Sequence, residues 1–340
     1  MSERGSAPGT PIIEVRGLIK RYGTLTAVDG VDLTVYSGEV FGILGPNGAG
    51  KTTTLEMIEG LRQPDAGTIT VAGYDTRSQT EDVRRAIGVQ LQTTALFDYL
   101  SAAELIKLFA DLYGVDSSPA RIDHLLGMVG LREKRDAAAN QLSGGQQQRL
   151  SIALGLVNDP IVVFLDEPTT GLDPAARREL WQTVRDVRNQ GSTVVLTTHY
   201  MEEAEILCDR IAVMDHGRVI ALDTPVGLIE SIDVEATISA RMRNGTLADR
   251  ELREIPGTQD VSLNGDQLEL RSDNPQLTLI GLLEAARTHS IELTELRSNQ
   301  ASLEDVFLTL TGRSFEPLSD ATDLPDETEK RRFWQRRKAA

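Results

Sequence analysis

A doubly wound α/β core followed by a smaller α+β unit is the fold class predicted for this 340-residue chain. Three observations carry that prediction. A glycine-rich turn at residues 45–52 separates an apolar run at 40–44 from a helix-compatible segment at 53–58. Two Val- and Leu-rich runs, 161–165 and 192–198, flank an amphipathic stretch at 174–190, the pattern of buried parallel strands joined by a crossover helix. Near Thr224 and Pro225 the composition shifts toward shorter runs that suit a separate small unit.

Composition bounds what surrounds this core. At 340 residues, two domains are a better expectation than one. With 40% hydrophobic and 25% charged residues, the chain has the composition of an ordinary soluble globular protein. The net charge of −16 argues against broad nucleic-acid binding, which needs a basic face to release counterions. No uninterrupted apolar run approaches the roughly 18 residues of a membrane-spanning helix. The single cysteine, Cys208, excludes an intrachain disulfide and fits a reducing cytosol. Residues 1–11 read as a short disordered leader without the apolar core of a signal peptide.

The elements follow in order. Residues 12–15 and 31–35 read as strands around a polar turn, and 68–71 as another, closed by Ala72 and Gly73. Residues 81–157 read as mainly helical: Leu105, Leu108, Phe109 and Leu112 recur at helical spacing, as do Ile122, Leu125, Leu126 and Val129. After the strand–helix–strand run come a helix around 201–208, a strand at 211–214, and a turn at Asp215-His216-Gly217 into Val219-Ile220. These elements define a first domain over 12–224. Within a second at 225–311, strands are expected at 234–241, 267–271 and 291–296, and a helix near 276–288. A last helix begins at Ser302, with Asp305 three residues on, close to a capping box. Its Leu303, Val306, Phe307 and Leu310 form one apolar stripe. Residues 312–340 have too little apolar content to fold alone and read as a disordered tail. That tail ends in six basic residues around Phe333 and Trp334, read as a solvated charged end, with contact to an anionic membrane surface as the alternative.

The turn Gly45-Pro46-Asn47-Gly48-Ala49-Gly50-Lys51-Thr52 has the spacing G-x-x-x-x-G-K-[ST], and Thr53 carries it into the helix. Its glycines let backbone N–H groups converge on anionic oxygens at the positive end of a new helix. In such a turn Lys51 reaches the β- and γ-phosphates, and the Thr52 hydroxyl holds Mg²⁺. The chain therefore binds a nucleoside triphosphate. Asp166 and Glu167 end the apolar run 161–165, at the edge where α/β sheets place ligands. There Asp166 can hold Mg²⁺ through water, and Glu167 can polarise an attacking water. His199 ends the run 192–198 on the same rim, and spacing alone leaves it either catalytic or a packing residue. Leu142-Ser143-Gly144-Gly145-Gln146 is a second helix start suited to an anion, with Ser143 as N-cap.

In this order the residues resemble the ATP-binding-cassette (ABC) ATPases over roughly residues 12–224. Residues 45–52 are similar to that family's Walker A, 142–146 to its signature, and 162–167 to its Walker B. Asp173, in Gly171-Leu172-Asp173, resembles the D-loop residue, His199 the switch histidine, Gln92 the Q-loop glutamine, and Tyr22 the aromatic residue that stacks on adenine. Gln90, two residues earlier, is the other candidate for the Q-loop position. The resemblance implies an ABC-type P-loop ATPase core with antiparallel β and helical subdomains. It implies ATP and Mg²⁺ as ligands, with Thr52, Gln92 and Asp166 at the metal. Two ATPase subunits would sandwich ATP between one Walker A and the partner's Ser143, Gly144, Gly145 and Gln146. Glu167 would activate water, while His199 and Gln92 sense the γ-phosphate and the metal. The work would drive a separate integral-membrane permease, which holds the chain at the cytoplasmic face of the membrane. The C-terminal unit, ending in Ser302-Leu303-Glu304-Asp305-Val306-Phe307-Leu308, resembles the ATPase subunits of bacterial exporters of drugs, antibiotics, lipids and polysaccharides, the daunorubicin-resistance type among them. The alternatives are a non-transport ABC ATPase and an ATP-binding regulatory module. Ribosome-acting members resemble two cassettes in one chain, and DNA-maintenance members carry long coiled coils between Walker A and signature. Only about 90 residues, without sustained heptads, separate those motifs here.

Overall fold

The computed structural model describes residues 9–90, 96–232, 236–299 and 301–312. Residues 1–8 of the expected leader, Gln92 and residues 313–340 of the expected tail lie outside the described residues.

Strand β1 (Pro11–Tyr22) turns at Gly23 into β2 (Leu25–Tyr36), so that Tyr22 faces Leu25 across an antiparallel hairpin. Alternation buries Ile13 and Val15 on one strand and Val31, Leu33 and Val35 on the other. Strand β3 (Val40–Leu44), buried throughout, delivers the glycine-rich turn to helix α1 (Lys51–Ile58). Strands β4 (Ala66–Val71) and β5 (Tyr74–Asp75) complete a four-stranded sheet of order β2-β1-β4-β5.

Helix α2 (Thr80–Ala86) runs directly into β6 (Ile87–Gln90), a strand where the sequence pattern had suggested mostly helix. Four residues are too few to set a period. Gly88 shows why the strand fits there: a Cβ would stand 1.9 Å from Gly155 O, so only glycine lets a neighbouring helix end approach this closely. Helices α3 (Ala102–Tyr113), α4 (Pro119–Met128) and α5 (Gly144–Gly155) form the helical layer. Strand β7 (Val162–Asp166), α6 (Pro174–Asn189), β8 (Thr193–Thr198), α7 (Met201–Leu207), β9 (Arg210–Asp215) and β10 (Arg218–Asp223) finish the core.

The central sheet has the order β10-β9-β3-β8-β7-β6, with only β10 antiparallel to its neighbour. Its strands serve two cores. Phe41, Ile43, Phe164 and Val195 face the antiparallel sheet and α1, whereas Val40, Leu44, Leu165 and Leu196 face the helices. Burial on both faces is why these strands read as continuous apolar runs.

Helix α8 (Pro225–Glu230) leads to β11 (Ala236–Arg243), α9 (Asp249–Arg253), β12 (Thr258–Asn264), β13 (Gln267–Ser272), α10 (Pro275–Thr288) and β14 (Glu292–Asn299). Their sheet, of order β12-β13-β11-β14, has its own core around Ile238, Leu270 and Leu282. Strand β12 gave no sequence signal because Val261 is its one buried residue. Helix α11 (Leu303–Thr311) starts with the Ser302–Asp305 capping box, but its Leu303, Val306 and Phe307 are buried in the helical core of the first unit, with Leu228 of α8.

One buried acid marks the end of α1. Glu59 is 3% exposed, and burial, with the nearby carboxylates of Asp166 and Glu56 adding to it, pushes its carboxyl up from 4.5 to about 8. Between those values the folded chain holds a proton that the unfolded chain has released, so stability falls as pH rises through this window. Glu59→Gln should therefore match the native chain in melting temperature near pH 5 and exceed it near pH 8.5, without nucleotide or Mg²⁺ present. Differential scanning calorimetry across that range checks this, and parallel pH curves for the two chains would refute it.

Candidate nucleotide site

The glycine-rich turn is shaped by close backbone approaches. A Cβ at Gly45 would meet Met214 O at 2.3 Å, and one at Gly50 would meet Ala27 O at 2.4 Å. Gly48 and Gly50 take positive φ (83° and 99°), and Gly50 begins α1 without a side-chain cap, leaving the first N–H groups of the helix free for an anion. The strand pairing anchors the turn, with Gly45 N donating to Thr198 O at 3.3 Å. Ala49 is buried and closes the turn by donating its N–H to Pro46 O.

Lys51 is almost fully buried. Its Nζ donates to Gly45 O (2.9 Å) and Pro46 O (3.2 Å) and lies 3.4 Å from Glu167 Oε1. Burial lowers its pKa, and Glu167 opposes that shift. Thr52 Oγ1 donates to Asp166 Oδ1 at 3.4 Å, and Thr197 Oγ1 donates a shorter bond to the same oxygen. Burial raises the Asp166 pKa against the pull of those hydroxyls.

Glu167 occupies the left-handed region at φ 46°, an uncommon backbone state for glutamate. Its N–H donates to Thr197 Oγ1 at 3.0 Å. Its Oε2 accepts from Thr170 Oγ1 at 3.2 Å and lies 3.2 Å from His199 Nδ1, off the line of a good hydrogen bond. Burial alone would raise this carboxyl, but His199 and Lys51 outweigh it and hold it at about 2.

Of these side chains Lys51, Thr52 and Glu167, with Thr53, border a cavity of about 340 Å³ that runs past Asn47 to Tyr22, whereas Asp166 and His199 do not line it. Tyr22 is 41% exposed, with the Arg62 guanidinium 5.5 Å and the Lys20 ammonium 5.8 Å from its ring centre. Leu25 and Ala27 also line it, and sequence reasoning missed both because only the hairpin brings them beside Tyr22. Thr197 was missed too; its signal was a threonine in a Val- and Leu-rich strand, in register with Asp166.

The residues fit a triphosphate with a small hard cation. Thr52 and Asp166 offer two oxygens at one spot, and the described residues contain no cluster of three or more His, Cys, Asp or Glu that would cage a metal alone. Mg²⁺ takes such partial sets, completing its shell with waters and phosphate.

The other predicted residues stand apart from the cavity within one chain. Ser143 caps α5 in a box closed by Gln146, and a Cβ on the buried Gly145 would crowd Ala176 at 2.8 Å, whereas Gly144 faces open space. Asp173 caps α6 by accepting from Ala175 N and Ala176 N, and those bonds lower its pKa. None of these five lines the cavity.

The ABC transporter family pattern matches residues 28–170. The Nod factor export ATP-binding protein I of Ralstonia nicotianae is 40% identical over 92% of this chain and 98% of its own length. The daunorubicin/doxorubicin resistance ATP-binding protein DrrA of Streptomyces peucetius is 40% identical over 94% and 98%. Among solved structures, a dimeric ATP-binding cassette in a post-hydrolysis state with ADP and Pi superposes with a TM-score of 0.56 at 30% identity, over 62% of this chain and 98% of that one. With its phosphate loop, acid pair and strand-end histidine on one sheet edge, this chain belongs to the ABC transporter family, as one of its ATP-hydrolysing subunits.

Proposed function

We propose that this chain hydrolyses Mg²⁺–ATP to power an exporter, with Glu167 as the group that activates water. The observation that carries the reading is the placement of Glu167, with one carboxylate oxygen toward Lys51 and the other toward His199. A carboxylate held at about 2 is a poor base. Of the two groups that depress it, His199 and Lys51, the ammonium is the one a γ-phosphate would draw away, so substrate binding itself raises the basicity of Glu167. His199 then orients the carboxylate and faces the phosphate. Thr52 and Asp166, with Gln92 outside the described residues, would hold Mg²⁺, which supplies charge neutralisation on the phosphate oxygens. Tyr22 gives the adenine a stacking face.

Ser143, Gly144, Gly145, Gln146 and Asp173 are assigned to a second copy of the chain, because they stand outside the cavity of their own. The dimeric cassette relative supports that assembly. The described residues include no helix long and apolar enough to cross a membrane. A separate permease would therefore carry the cargo and hold the chain at the cytoplasmic face. The relatives' names, Nod factor export and daunorubicin/doxorubicin resistance, point to cargo of those kinds. The unit at 225–311 and the tail from 312 are assigned as accessory segments of this exporter type.

Glu167→Gln should retain ATP binding while turnover falls on the order of 10²–10⁴-fold. The ATP-bound dimer should then persist in size-exclusion chromatography; near-normal turnover would remove Glu167 from this role. Ser143→Arg should leave the monomer's ATP affinity nearly intact and abolish both turnover and ATP-driven dimerisation. Unchanged hydrolysis in that variant would rule out the shared site.

A further inference from the structure

Behind the site lies a buried acid that the reaction scheme does not use. Glu203, on the first turn of α7 and four residues beyond His199, has no exposed surface. The Trp181 indole N–H, from α6, donates to its Oε1 at 3.2 Å. The hydroxyls of Thr198 and Thr169 also lie close enough to act on the carboxyl. Yet Glu203 Oε2 and Thr169 Oγ1, both buried, each lack a partner in good hydrogen-bond geometry. Thr169 stands two residues after Glu167, next to the Thr170 that touches Glu167 Oε2. Thr198 immediately precedes His199 and accepts from Tyr200 N at 2.9 Å. Tyr200 in turn lies between His199, at 4.2 Å between ring centres, and the Arg177 guanidinium, 4.6 Å from its ring.

We propose that Glu203 is a positioning residue for ATP hydrolysis: its carboxyl ties the loop after Glu167 to the segment that carries His199, and so sets how those two groups face each other. That carboxyl is enclosed on every side. Burial raises its pKa despite the hydroxyls, the indole and Arg177 around it. A hydrogen bond between Oε2 and Thr169 Oγ1 gives both unmet atoms a partner, donated by the hydroxyl or by a protonated carboxyl, while Oε1 still accepts from Trp181. The inference rests on the roles given above to Glu167 and His199.

The test uses the full-length chain, with ATPase rates at saturating and limiting ATP. Glu203→Ala should lower kcat by about 10–100-fold with little change in KM, the effect of displacing a reacting group by a fraction of its contact distance. Glu203→Gln keeps an acceptor for Trp181 and a donor for Thr169, and should restore kcat to within about threefold of the native chain. Thr169→Val, isosteric and without the hydroxyl, should lower kcat in the same direction and add little to Glu203→Ala in the double variant. A folded Glu203→Ala protein with native kcat would overturn the proposal, as would a Glu203→Gln protein as slow as Glu203→Ala. Should Glu203→Ala fail to fold, Thr169→Val decides alone, and native kcat there overturns the link. If the reading of Glu167 were itself wrong, Glu167→Gln would keep turning over; if only this inference fails, Glu167→Gln stays inactive.

Discussion

One hydroxyl holds the acid pair in place. Thr197 Oγ1 accepts from the N–H of Glu167 and donates to the carboxylate of Asp166, and it is wholly buried. It can do so because β7 and β8 lie parallel with Asp166 opposite Thr197. The next strand ends level with them, Leu44 opposite Thr198. Three adjacent strands that stop together deliver the phosphate loop, the acid pair and His199 to one edge. The positive φ of Glu167 costs about 1–3 kcal/mol. A buried N–H left unmet would cost a similar amount. The Thr197 hydroxyl removes the second cost, which lets the fold sustain the first.

Charge at this edge is arranged for chemistry more than for stability. Lys51 and Glu167 are 4% and 8% exposed, so each loses most of its hydration, and Glu167 is offset by His199 and Lys51, Lys51 by Glu167 and two backbone carbonyls. An exposed pair such as Lys107–Asp111 shows the contrast: solvent screens it, and it contributes little to either folding or function. A buried pair of this kind adds little net stability. On the proposed reading its value lies in a cation and a base held with little solvent contact beside a space of about 340 Å³, where electrostatic effects on a phosphate are strong. Glu59 belongs to the same economy of charge. Burial, with the field of Asp166 added to it, keeps it neutral near pH 7, so that the far end of α1 adds no further buried anion to Asp166 and Glu167.

What could be read in the sequence follows from what makes local signals strong. Buried parallel strands appear as apolar runs, so β3, β7 and β8 were visible. The phosphate loop was visible because Gly45 and Gly50 answer to backbone clashes that admit no side chain, and Gly48 to a positive φ. Strand β6 was too short to show a period, and β12 buries one side chain on an edge. Leu25, Ala27 and Thr197 reach the site only through strand pairing, a relation between distant residues that no local pattern contains. Sequence order linked Ser143 and Asp173 to the phosphate loop through a family resemblance, yet within one chain they stand outside the cavity, and the proposed reading gives them to the site of a second copy. The stripe on α11 announced a face that must be covered, but an amphipathic pattern does not say by what.

The destination of α11 changes how the C-terminal unit relates to the core. The chain leaves through α8 and comes back through α11, and both helices bury their apolar faces in the helical core that also takes Met201 and Leu207 of α7. At nine residues, α11 is too short to persist alone. Leu303, Val306 and Phe307, each worth about 1.5–3 kcal/mol when buried, hold it there. Glu205 Oε1 adds a bond from the Leu303 N–H at 3.0 Å. Helix α7 is thus gripped from two sides: Glu203 points inward to Trp181 of α6, and Glu205 reaches out to the start of α11. The same short helix follows directly on His199. Helix α7 therefore touches α11 through Glu205 on one side and follows the segment that carries His199 on the other.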